Sequence, residues 1–269
     1  MNTEKEKENE NYLKNQLTNL GFGNSMHEKL EANFKEQNKK FEIPFTAEFK
    51  KGDKKELVEY NLNFAKSKEG DLIFLNNYQA TLKKDSPEKE HTQTFFVGKN
   101  NNITAKEAFN LLDGRAVYKG MVNKEDEKYN TWLQMSGEKQ ENGNFKLQPY
   151  NDKYGFDLKK NLEKISMKDI DSPEKKEDIM KSLRKGNLTP VTLNLAGKEE
   201  KAFIEANPKD RSITIYDSNM IRQSQGVREH KGESKQEGQS KSENPKQEQK
   251  NEPEPEEKKA RTRKAGVSR

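Results

Sequence analysis

The stretch Ser172 to Met220, SPEKKEDIMKSLRKGNLTPVTLNLAGKEEKAFIEANPKDRSITIYDSNM, reads as one helix followed by three strands. Ser172-Pro173-Glu174 opens the helix with a hydroxyl to cap, a ring set near the helical φ and a carboxylate at the positive end of the dipole. Ile179, Met180 and Leu183 recur at helical spacing, and Lys181, Arg184 and Lys185 precede Gly186, a charge and stop pattern. This predicts a helix from about Pro173 to Lys185. Val191, Leu193 and Leu195 then alternate with Thr192 and Asn194, Ala202 and Ile204 mark a return strand, and Ile213 and Ile215 a third. The turns between them are Ala196 to Glu199 and Asn207 to Asp210, so the outline is a helix laid on an antiparallel meander.

Two earlier regions restate that outline. Tyr12, Leu13, Leu17 and Leu20 predict a first helix ended by Gly21 and Gly23, and Ser25 is expected to cap a second that carries Met26, Leu30 and Phe34. Phe41, Ile43, Phe45, Ala47 and Phe49 alternate with polar residues, and Pro44 places that strand at an edge or a bulge. Val58 to Phe64 and Leu72 to Leu75 complete a meander, and Tyr78 to Leu82 with Thr94 to Val97 add a hairpin. In the region between, Thr104 with Glu107 forms a capping box ahead of Ala108, Leu111 and Leu112. Val117 to Val122, Tyr129 to Met135 and Phe145 to Leu147 follow as strands.

The expected fold is therefore α+β, built of repeated helix plus three-stranded antiparallel meander units, each sheet covered on one face by a helix. The expected organisation is a disordered N-terminus (1–10), a first module with two leading helices and the extra hairpin (11–99), a second module (103–170), a third (171–222) and a disordered charged tail (223–269).

Apolar residues make up 29% of the 269 residues against 36% charged, and the deficit sits at the two ends. The tail holds almost no large apolar side chain, too little burial to offset its ordering entropy. There is no cysteine for a disulfide or thiolate metal site, no long apolar run and no apolar leader after the first residues, so a cytoplasmic protein without a membrane partner is expected.

Nothing in the residues spells a catalytic or cofactor signature. His27, His91 and His230 lack ligand partners at metal spacing, Gly21-Phe22-Gly23 follows a helix where a phosphate loop follows a strand, and no nucleophile elbow occurs. Asp152, Asp157, Asp169 and Asp171 are not visibly paired, and Asp157 and Asp171 stand where helix caps are expected. The chain is read as no enzyme, with no cofactor and no metal. Tyr129, Trp132, Tyr150, Tyr154 and Phe156, interleaved with Lys128, Lys146 and Lys153, either stack nucleic-acid bases or complete a small core. The run Lys258, Lys259, Arg261, Arg263 and Lys264 is the concentrated positive charge that could neutralise phosphates. Without the tail's 12 basic and 9 acidic residues the body carries 39 basic against 37 acidic residues, so no broad nucleic-acid surface is expected on it.

The phrases ITAKEAFNLLDGRAVYKGMVNKEDEKYNTWLQM (103–135), YNDKYGFDL (150–158), SLRKGN (182–187) and AFIEANPKDRSITIYDSNM (202–220) resemble a domain-of-unknown-function family carried on conjugative transposons of the Bacteroidota. YLKNQLTNLGFG (12–23) and the basic end are similar to it too. The resemblance brings no catalytic residues; it implies carriage on a mobile element, a cytoplasmic product and association with DNA-transfer or DNA-processing machinery. The expected function is a non-enzymatic accessory or adaptor protein of a mobile element with a protein partner. The alternative is a nucleic-acid-binding accessory protein that uses the basic tail and the Trp132 group. A carboxylate-based hydrolase or nuclease is the remote third.

Overall fold

The computed structural model describes residues 4–170, 172–195 and 197–223. Helices α1 (Glu4–Asn19) and α2 (His27–Lys35) precede a first sheet of β1 (Lys40–Lys51), β2 (Lys54–Lys66), β3 (Ile73–Leu82) and β4 (His91–Phe96), hydrogen-bonded in chain order. Helix α3 (Ala105–Leu112) leads to a middle sheet of β5 (Val117–Val122), β6 (Lys128–Lys139) and β7 (Phe145–Asn151). Helices α4 (Leu158–Glu163) and α5 (Pro173–Arg184) lead to a third sheet of β8 (Thr189–Leu195), β9 (Lys198–Asn207) and β10 (Ser212–Asp217). Every strand pairing is antiparallel. The α+β class expected from the periodicity is the class observed.

Local chemistry explains three of the helix boundaries. Thr104 and Glu107 form the capping box reciprocally, and the Asp157 side chain accepts from Lys160 N at 3.0 Å to open α4. Helix α5 stops at Gly186, where φ is +77°. A Cβ there would lie 2.8 Å from Ala116 O, so the stop is also a close approach of two backbones. The hairpin expected as an addition to the first sheet is not separate, because β3 runs unbroken from Ile73 to Leu82. A bulge opposite Asn63 and Phe64 shifts its side-chain phase by one, so the alternation reads as two short strands.

Buried side chains fall into two clusters, and the middle sheet stands between them. Val117 and Leu133 belong to the first cluster, with α1, α2, α3 and the first sheet, and Met121, Met135 and Leu147 pack against it. Trp132 and Tyr150 belong to the second, with α4, α5 and the third sheet. The middle sheet is thus covered on both faces, where a single helix-covered face is expected from the meander pattern. Helix α3 contributes Ala105, Ala108, Phe109, Leu111 and Leu112 to the first cluster, so the helix that opens the second segment completes the core of the segment before it.

Amide side chains stitch these parts by imitating backbone. Asn9 Nδ2 donates to Ile73 O at 2.9 Å while Ile73 N donates to Asn9 Oδ1 at 2.8 Å. Gln93 makes the same exchange with Phe145, at 3.3 and 2.7 Å, and joins the first sheet to the middle one. Asn110, fully buried, donates from α3 to Lys185 O at 2.6 Å and so caps the end of α5.

Several expectations change. The N-terminus expected to be disordered through residue 10 is helical from Glu4, anchored by Asn9. Tyr12 lies exposed off the face that buries Leu13 and Leu17. Ser25 sits inside a short 3-10 turn, Asn24–Met26, and does not cap α2, whose N-cap is Met26. Ser172 holds the N-cap position of α5 but its side chain makes no capping bond. The tail expected to be disordered lies outside the described residues except for Gln223, whose N donates to Ile215 O at 2.8 Å.

Candidate functional site

The aromatic group resolves into packing. Trp132, 5% exposed, lies edge-on to Phe156 with ring centroids 5.3 Å apart and tilted against Tyr118 at 5.1 Å. Tyr150 is buried opposite Trp132 in the register and meets Tyr154 edge-on at 4.8 Å. Tyr154 is covered by the Arg211 guanidinium, 4.7 Å from its ring. Tyr129 is 43% exposed and leaves the group, because a strand turns alternate side chains to opposite faces. Trp132 and Tyr150 would have to unpack to stack on a base.

The basic run Lys258, Lys259, Arg261, Arg263 and Lys264 lies outside the described residues, as do His230, Asp171 and the side chain of Asp169. His27 Nε2 sits 3.2 Å from Lys14 O, and His91 Nδ1 sits 2.8 Å from Leu112 O. Among the described residues no three of His, Asp and Glu come together to hold a metal ion, and no helix is long and apolar enough to cross a membrane.

One candidate surface is the outer edge of β1, as Pro44 predicts. β1 is the terminal strand of its sheet and runs against β2 in unbroken register from Lys40↔Ala65 to Lys51↔Lys54. Lys66 N donates to Lys39 O at 2.8 Å, which sets the phase of the ladder. Odd-numbered residues of β1 therefore bond β2, and even-numbered ones turn their backbone outward. Pro44 falls in the outward set, where its missing N–H removes no ladder bond, and its carbonyl accepts from Lys29 Nζ at 3.2 Å. Thr46, Glu48 and Lys50 carry outward amides. On the inner face beside them Phe45, Ala47 and Phe49 are half-buried, whereas Phe41 and Ile43 are buried.

The other is a charged cavity of about 350 Å³ where the β1–β2 hairpin, the end of α3 and the third sheet meet. Asp113, the residue after α3, accepts from Lys51 Nζ through Oδ1 at 2.6 Å, and its Oδ2 lies 3.1 Å from Arg115 Nε. The second contact is an ion pair outside hydrogen-bonding alignment. Arg115 is 4% exposed, its guanidinium lies 4.9 Å over the Phe109 ring, and its Nη2 has no hydrogen-bond partner among the described residues. Glu205 accepts from Tyr216 Oη at 2.8 Å across the β9–β10 pair.

Burial sets the electrostatics. It pushes the Glu205 carboxyl above its ordinary range, against the pull of the Tyr216 bond and the Arg115 charge, and pulls Arg115 down against the attraction of Asp113. The Lys106 amine on α3, 4.7 Å from the Phe109 ring and 4.8 Å from the Phe49 ring, is pulled down to about 8 by burial and then by Arg115. Three cations and three carboxylates in one wall hold polar ligands more readily than apolar ones.

The sequence reading passes over this cavity because Asp113-Gly114-Arg115 looks like a helix stop. A signal was present: Arg115 stands in an apolar stretch, between Leu111-Leu112 and Ala116-Val117, beside Asp113 as a partner for its charge. Scans against family models, curated proteins and solved structures find no match to the chain.

Proposed function

We propose that the chain is a non-enzymatic adaptor of a mobile genetic element that takes an extended segment of a protein partner along the outer edge of β1. The supporting observation is the edge itself, with outward backbone at Thr46, Glu48 and Lys50 beside half-buried Phe45, Ala47 and Phe49. An added strand gains main-chain hydrogen bonds there, and its alternate side chains extend the apolar inner face. Pro44 and the charges of Glu42, Glu48 and Lys50 guard against indiscriminate pairing, which leaves the half from Thr46 to Lys50 for a matched partner.

Thr46→Pro removes one outward N–H as Pro44 already does, so the melting curve is expected to shift little. A partner that co-purifies with the wild-type chain from cells carrying the element is expected to be lost with this variant. Retention of the same partner would sink the edge reading, and turnover of a specific substrate by the purified protein would sink the adaptor reading.

A further inference from the structure

We propose that the cavity lined by Arg115 and Asp113 is a binding site for a small carboxylate-bearing ligand, independent of the β1 edge. Arg115 is tethered on one side only. Asp113 holds its Nε end, Phe109 covers the guanidinium face, and Nη2 is buried without a partner among the described residues. A buried guanidinium with an unmet N–H is costly, and an acceptor that a ligand brings to the guanidinium offsets part of that cost.

Charge selects the class. Asp113 is shared by Lys51 and Arg115 and Lys54 adds a third cation, so with Lys84 behind Glu56 four cations stand against the three carboxylates and one positive charge remains. Glu56, also in the wall, is held by Lys84 at 2.8 Å, and Glu205 carries the Tyr216 hydrogen bond. A monoanion matches this excess, while a phosphate dianion meets three acidic neighbours. The planar guanidinium also fits a carboxylate fork. Leu188 and Met220 supply apolar wall for the carbon body of the ligand, and the volume of about 350 Å³ falls within the range for small-molecule clefts.

The test is a titration of the full chain, ¹⁵N-labelled, with butyrate, succinate and inorganic phosphate, following the arginine Nε signals. Butyrate is expected to shift the Arg115 signal saturably. Arg115→Lys, which keeps the charge and loses the fork, is expected to weaken binding by about tenfold, followed by the backbone amides around the cavity. Should that variant fail to fold, Lys54→Glu changes an exposed cavity residue and is expected to weaken binding several-fold. Absence of a saturable butyrate shift, butyrate binding untouched by Lys54→Glu, or a shift with phosphate alone would each overturn the proposal.

Discussion

The two faces of the middle sheet lead into cores of different construction. On the first-sheet side, Phe22 meets Phe45, Tyr60 and Tyr78 edge-on at 5.7, 5.4 and 5.1 Å, deep in the cluster. The tyrosines can lie there because carbonyls at the start of α3 take their hydroxyls, Ala105 O at 2.8 Å and Ile103 O at 2.6 Å. On the other side the aromatics gather at the rim, where Tyr154 donates to Lys209 O at 2.9 Å, and the centre is aliphatic, with Leu183 and Ile204 fully buried. The comparison teaches that an aromatic with a polar tip reaches the centre of a core only where the backbone leaves an acceptor there.

The largest expected break in this picture is Leu183→Asp, an unpaired charge in the aliphatic core, which should cost about 3 kcal/mol or more. If the middle sheet couples the cores, Trp132 fluorescence and far-UV circular dichroism will report one transition; two separate transitions would mean that the cores melt independently. Phe22→Ala and Trp132→Ala, one on each side, should each cost about 3–5 kcal/mol in chemical denaturation. A near-neutral Trp132→Ala would return the aromatic group to a surface role. Gly186→Ala combines a positive φ with contact against Ala116 O and should cost about 2 kcal/mol, read as a shifted denaturation midpoint.

The smallest effect concerns Glu205. Burial raises its folded-state pKa, so its contribution is intact below the unfolded carboxylate range and is lost as pH rises through the raised value. Glu205→Gln, which can still accept from Tyr216, should therefore melt higher than the wild type near neutral pH, with the difference gone at about pH 4. A wild type that melts higher near neutral pH would show that attraction to Arg115 outweighs burial.

What could be read from the residues was what repeats at short range. The strand β1 with its edge proline, the capping box of Thr104 and Glu107, and the helix ending at Gly186 all follow from neighbours within a few positions. The bulge in β3, the service of α3 to the preceding core and the double burial of the middle sheet depend on partners far along the chain. Asn9, Gln93, Asn110 and Arg115 are the clearest cases: polar by composition, buried in fact, and decided by acceptors 50 or more residues away for the three amides. The candidate cavity was hidden for the same reason, since Lys51, the pair Asp113 and Arg115, and Glu205 lie far apart in the chain and converge only in the fold.

A sheet buried on both faces also constrains how this chain can be inherited. Loss of everything beyond residue 99 would strip Ala105, Ala108 and Phe109 from the first core, and loss of everything beyond 170 would strip Ile179, Leu183 and Ile204 from the second. With the middle sheet in both clusters, dropping any one helix-and-meander unit opens the core beside it. An exchange of segments that keeps both cores intact carries α1 to β10 together.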